Sequence, residues 1–173
     1  MSPLKPQRLT HSLLFRKLVR GCKGGLAATA VMTAYRAPVF RALPPTAKLW
    51  ARYVGNQDAE AYLPQGILLH FLYGTVAGGL FSPLFSRLAA GESMKREYVG
   101  VVYGLIYGLL LSVFGTRLIF EHVIDNDLEP DQALVFHVGH VIYGLTLGTW
   151  LASHERFGEV YEDEPTTSSD SRS

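Results

Sequence analysis

The sequence predicts an all-α, polytopic membrane protein: a compact four-helix transmembrane bundle with glycine-rich helix faces. Three observations predict it. First, charge disappears over three long windows, 61–86, 98–116 and 132–153, each close to or above the roughly 20 apolar residues that a membrane-crossing helix needs. A soluble bundle would carry charge on its outer faces every few residues. The chain is 48% hydrophobic and 18% charged, against about 25% charged in an average soluble domain. Second, Gly, Ser or Thr recurs at every fourth position in each apolar segment, which lets helix backbones approach closely. Third, Lys and Arg are placed asymmetrically along the chain, as the positive-inside rule requires of a multi-pass protein.

Residues 1–23 read as a basic amphipathic N-terminal segment. Lys5, Arg8, Arg16, Lys17, Arg20 and Lys23 meet no acidic residue there, and Leu9, Leu13, Leu14, Leu18 and Val19 recur at roughly helical spacing. That suits either a helix lying on an anionic leaflet or a solvated basic arm that sets topology. Arg16 and Lys17 interrupt the apolar run before it reaches signal-peptide length, so the N-terminus is expected to be retained. Cys22 is the single cysteine, so no intramolecular disulfide forms, and a small buried role is expected of it.

The membrane domain is expected over 24–153, with spans at about 24–43, 64–86, 98–120 and 133–153. The first span is the weakest, because it reaches full length only by admitting Arg36, at an insertion cost of about 2.5–3.5 kcal/mol. In 44–60, Pro44-Pro45 marks a turn. Leu49, Trp50, Tyr53 and Val54 then share one side of a second interfacial helix, with Lys48 and Arg52 on another. An acidic loop follows the third span, with Glu121, Asp125, Asp127, Glu129 and Asp131. It lacks the central Gly and terminal Glu of a calcium-binding hand, so a solvated loop is expected. Residues 154–173 read as an acidic, Ser/Thr-rich disordered tail. Four spans with both termini cytoplasmic put eleven Lys/Arg inside and three outside; three spans would give ten against five and turn the acidic loop inward. The expected location is therefore the cell membrane, multi-pass, with both ends in the cytoplasm.

One motif occurs twice. His70-x-x-Tyr73-Gly74-x-x-x-Gly78 is matched by His140-x-x-Tyr143-Gly144-x-x-x-Gly148, and a partial copy, Tyr103-Gly104-x-x-x-Gly108, has Gly100 in place of the histidine. The ladders through these glycines are expected to be the packing faces. Gly21, Gly25, Thr29 and Thr33 form a similar ladder in the first segment. Whether the ladders also join copies into a homo-oligomer is left open. The spans form two helix hairpins that an approximate two-fold along the membrane normal would relate.

This layout resembles a group of small, uncharacterised archaeal and bacterial integral membrane proteins. The shared features are a basic N-terminus, a Gly-Ala-Thr-Met first helix (Gly25 to Met32) and histidine-tyrosine-glycine signatures in later helices, over roughly residues 21–153. The resemblance implies four membrane helices and an unknown function, and it carries over no catalytic residue. The departure here is a break at Arg36/Pro38 in the first helix.

With spans two and four parallel, Arg36, His70, Arg117, Glu121, His137 and His140 gather on the outer side of the bilayer. Intramembrane ionisable groups usually face the bundle or a water cavity. Three readings stand. His70 and His140 hydrogen-bond across helices, to Thr33, Tyr103, Tyr107, Ser112, Thr116 or Arg117, while Arg117 pairs with Glu121. Alternatively the cluster lines a polar cavity of a small transporter or channel-like subunit. In the third reading the histidines hold a metal or haem. No GxSxG, HExxH, CxxC or phosphate-binding glycine loop is present, so the sequence leans away from an enzyme, and no cofactor is predicted. The expected partner is the lipid bilayer. A net charge of +1 gives no case for nucleic acid.

Overall fold

The computed structural model describes residues 7–39, 45–90, 95–124 and 130–159. The acidic loop over 125–129 and most of the acidic tail lie outside the described residues, as do the side chains of Glu121 and His122. The fold is all-helical. Helix α1 spans Gln7–Val39, α2 Pro45–Tyr53, α3 Leu63–Ala89, α4 Arg96–Phe114 and α5 Pro130–Glu159. A 3-10 turn, Ala59–Tyr62, leads into α3, and a π-helical stretch, Gly115–Ile124, continues α4. Three stretches are long and apolar enough to cross a membrane: Ala59–Ala89, Arg96–Leu118 and Pro130–Ser153. They coincide with the three charge-free windows of the sequence.

Helix α1 differs from the expectation in three ways, the first being that it is not among the stretches long and apolar enough to cross a membrane. It is continuous from Gln7, so the division at residues 23 and 24 falls inside one helix, whose first half carries Arg16, Lys17, Arg20 and Lys23. Pro38 does not break it. The proline lies in the last turn and α1 ends one residue later, at Val39, so it removes one donor where the helix is already finishing. Arg20 reaches across from α1 to donate to the Leu151 carbonyl of α5.

The helices pack in the order α3, α1, α5, α4, and α3 meets α4 only sparsely. Two antiparallel contacts are built on small residues. Between α1 and α3, Gly21 faces Gly78 and Ser82, Gly25 faces Gly74 and Gly78, and Thr29 faces Gly74. Between α4 and α5, Gly100 faces Gly148 and Ala152, Gly104 faces Gly144 and Gly148, and Gly108 faces His140 and Gly144. The two pairs share one register: 21 with 78 and 25 with 74, then 100 with 148 and 104 with 144. Around these seams lies a core of Met32, Phe81, Phe85, Val99, Tyr143, Leu147 and Leu151. Cys22 is half-buried against Gly79.

Tyrosines bind α3 to the opposite pair. The Tyr143 hydroxyl donates to the Gly74 carbonyl at 2.6 Å, and the Tyr107 hydroxyl to the Ala77 carbonyl at 2.8 Å. The Tyr107 ring stacks on Phe81, with centroids 4.2 Å apart and planes 13° from parallel.

Two contacts accompany the change from α to π turns after Phe114. Thr116 Oγ1 donates to the carbonyls of Ser112 and Val113, each at 3.1 Å, competing with the backbone ladder. The Phe136 ring presses against Gly115, where an added Cβ would stand 2.7 Å from Phe136 Cζ. Wider i→i+5 turns of this kind are rare and occur often at functional sites.

Candidate functional site

One end of the molecule collects the C-terminal end of α1, the N-terminal ends of α3 and α5, the π-helical stretch and α2. A cavity of about 160 Å³ lies there. Its polar lining comes from Arg36 of α1, His70 and Tyr73 of α3, His140 of α5 and Thr46 of α2; Leu49, Leu111 and the rings of Phe120 and Phe136 make its apolar walls. No carboxylate lines it among the described residues. A smaller void of about 10 Å³ adjoins it, bounded by Thr29, Met32 and Tyr143.

Helix α2 is amphipathic, and its short length follows from what it covers. Ala47 is fully buried against Gly66, the residue where α3 has no side chain; a Cβ on Gly66 would stand 2.6 Å from Ala47 Cβ. Thr46 Oγ1 donates to the Gly66 carbonyl at 2.6 Å. Leu49 packs on the Phe120–Phe136 pair, whose rings meet edge to face at 5.4 Å. The short helix expected in 44–60 therefore forms, over Pro45–Tyr53, and it roofs the cavity.

Of the six ionisable residues that the sequence grouped, Arg36, His70 and His140 share this cavity. His137 is close by but engaged with α4, its Nδ1 lying 2.6 Å from Ser112 Oγ. Arg117 is exposed and does not line the cavity. The Glu121 side chain, and with it the expected Arg117–Glu121 pair, lies outside the described residues. His140 departs from the expected cross-helix bond. Its Nδ1 donates to the Phe136 carbonyl, one turn back on its own helix, at 2.8 Å, and its ring lies 4.2 Å from the Phe136 ring. A carbonyl only accepts, so Nδ1 carries a proton, and in the neutral form of the ring Nε2 is the acceptor. Ser112, a candidate partner for the paired histidines, is taken by His137 instead.

Sequence reasoning missed Tyr73, Thr46, Leu49 and Phe136 as site residues. Tyr73 stands in the repeated motif between His70 and Gly74. The others lie on segments whose placement depends on tertiary packing. Among the described residues no three His, Cys, Asp or Glu side chains come together as a metal-binding group.

The family comparison agrees with the extent of this core. The chain belongs to the family described as a family of unknown function (DUF6789), whose profile matches residues 15–158. The matched region begins inside α1, ends inside α5 and contains every cavity-lining residue. No curated protein and no solved structure matches the chain.

Proposed function

We propose that the protein is a multi-pass integral membrane protein of structural or assembly type, in which α1, α3, α4 and α5 cross the bilayer as two glycine-sealed hairpins with both termini cytoplasmic. The observation that carries this reading is the shared register of the two small-residue seams, Gly21–Gly78 with Gly25–Gly74 and Gly100–Gly148 with Gly104–Gly144. Without a hydrophobic drive between helices in lipid, close backbone approach of this kind is what holds membrane helices together. The outward faces fit the same reading. Leu68 is 70% exposed and Leu80 65%, and Leu72, Val76 and Leu84 extend that stripe along α3. Val102, Ile106 and Leu110 form a comparable stripe on α4. Continuous apolar stripes of this length suit acyl chains and not water. Reporter fusions at Ser2 and Ser173 test the topology: both report the cytoplasm, whereas opposite signals would mean three crossings and overturn the model of two hairpins.

A second reading is favoured by one observation, the cavity that brings Arg36, His70 and His140 together. In the proposed topology it lies in the outer half of the membrane, and it makes the protein a small carrier or channel-like subunit. A haem-holding role is less well supported. The cavity of about 160 Å³ is smaller than the roughly 300–1,000 Å³ of ordinary ligand pockets. Flux into liposomes measured with His70→Ala separates carrier from scaffold: unchanged flux in the folded variant removes the carrier reading.

A further inference from the structure

Resting on the membrane reading above, we propose that the Arg36–His70–His140 cavity binds a monoanionic phosphate group, the head of a single-chain phosphomonoester amphiphile that reaches it from the bilayer between α3 and α4. Three features of the cavity converge on that ligand.

The first is charge. Arg36 brings a permanent cation to a chamber whose other polar lining is uncharged or imidazole and whose described lining holds no carboxylate. A guanidinium in such surroundings is stabilised by an anion that offers paired oxygens, and phosphate fits that fork. The second is the hydrogen-bond pattern. Arg36 only donates, while His140, its proton held on Nδ1 by the Phe136 carbonyl, accepts at Nε2. Below its second pKa of about 6, a phosphomonoester is a monoanion that carries both complements, P–O⁻ oxygens for the guanidinium and one P–OH for the imidazole, so binding is compared at about pH 5.5. A phosphodiester or a carboxylate has no O–H to give and would set lone pair against lone pair at a neutral His140. The third is the route. α3 and α4 are fastened by Tyr107 on Ala77 and Phe81, yet four residues along each helix, at Tyr73 and Leu111, the seam reaches the cavity. Tyr73 lines the cavity and is also 41% exposed, which puts its side chain between the chamber and the surface at this seam. A volume of about 160 Å³ equals about five waters at roughly 30 Å³ each, enough for a phosphate group but not for an acyl chain. The chain would stay outside, along the exposed Leu72 and Val76.

Binding is measured on purified protein in neutral detergent with four probes: lysophosphatidic acid, phosphatidylglycerol, oleate and inorganic phosphate. Lysophosphatidic acid is expected to bind saturably, and about tenfold or more tighter than the diester or the carboxylate. Arg36→Gln should weaken it by about tenfold or more, and Arg36→Lys should recover part of the loss. His140→Phe should remove the preference for monoester over diester while leaving charge-driven binding. Equal affinity for all three amphiphiles overturns the assignment. Equal affinity for inorganic phosphate shows that the anion alone is recognised and overturns the lipid source. The wild-type selectivity decides even where Arg36→Gln does not fold. The terminal reporters are read on the same protein, so absent binding in a chain with two cytoplasmic ends counts against this site and not against the bundle.

Discussion

Replacing Gly78 or Gly148 by alanine tests the packing argument directly, because the two positions match in the two hairpins. A Cβ on Gly78 would stand 2.5 Å from the Gly21 carbonyl oxygen, 2.6 Å from Gly25 Cα and 2.8 Å from Gly25 N. A Cβ on Gly148 would meet the Gly100 carbonyl and stand 2.9 Å from Gly104 Cα. Every one of these atoms is backbone, so no side chain can swing away. Carbon contacts are comfortable at about 3.5–4.0 Å, so each helix pair must part by roughly 1 Å. Overpacking of this kind costs about 1–3 kcal/mol. The better helix propensity of alanine returns about 1 kcal/mol at most. With every close contact on backbone, the cost lies at the upper end of that range, so each variant should lose about 2 kcal/mol net, a similar amount at both sites, and the double variant should lose close to the sum because the sites share no partner. The assay is unfolding by a denaturing detergent titrated into mild micelles, followed by Trp fluorescence. Leu80→Ala on the exposed face of α3 is the control, expected to shift stability by no more than about 0.5 kcal/mol. Unchanged midpoints for both glycine variants would refute the reasoning. A loss at one site only would refute the equivalence of the hairpins.

Three further outcomes are expected. Tyr143→Phe, which removes the hydroxyl bound to the Gly74 carbonyl, should cost about 0.6 kcal/mol, the average for such bonds within membranes; a loss as large as that of Gly78→Ala would mean that tyrosines and not glycines hold the seams. Ser112→Ala leaves His137 Nδ1 without its 2.6 Å partner, and the His137 ring signals should shift in NMR of labelled protein while those of His140 stay in place. Thr46→Val breaks the bond from α2 to the Gly66 carbonyl at nearly constant volume, so α2 amides should exchange faster with solvent while those of α5 do not change.

Much of this architecture was legible in the residues, for identifiable reasons. The charge-free windows located α3, α4 and α5 because length and polarity alone decide whether a helix suits a membrane. The fourfold spacing of small residues placed the contact faces, because a helix repeats nearly the same face every four residues. What was not legible depended on tertiary neighbours. Pro38 reads as a break in isolation, but at the end of a helix its missing donor matters little. The π turns after Phe114 accompany the Thr116 hydroxyl bonds and the approach of the Phe136 ring to Gly115, the second a contact between residues far apart in sequence. Arg117 was grouped with Arg36 by depth alone. Depth does not decide which side of a helix a residue occupies, and the wider turns carry Arg117 to the exposed face.

The site itself follows from where the repeat fails. If α4 and α5 repeated α1 and α3 in full, the seam between α3 and α4 would match that between α1 and α5. It does not, since α1 packs closely on α5 while α3 and α4 barely touch. The intervening α2 accounts for part of the difference, having no described counterpart between α4 and α5. Its Thr46 donates to the Gly66 carbonyl, the position matching the Phe136 carbonyl that His140 uses. One copy of the motif thus turns its histidine onto its own helix and its tyrosine into the core, Tyr143 being almost fully buried on Gly74. In the other copy, His70 lines the chamber and Tyr73 stands at the open seam. Both histidines thus line the chamber, while the matching tyrosines differ, Tyr143 a clasp in the core and Tyr73 a partly exposed wall. An exchange of Tyr73 and Tyr143 for phenylalanine should accordingly have unlike effects, stability falling with Tyr143 and ligand access changing with Tyr73.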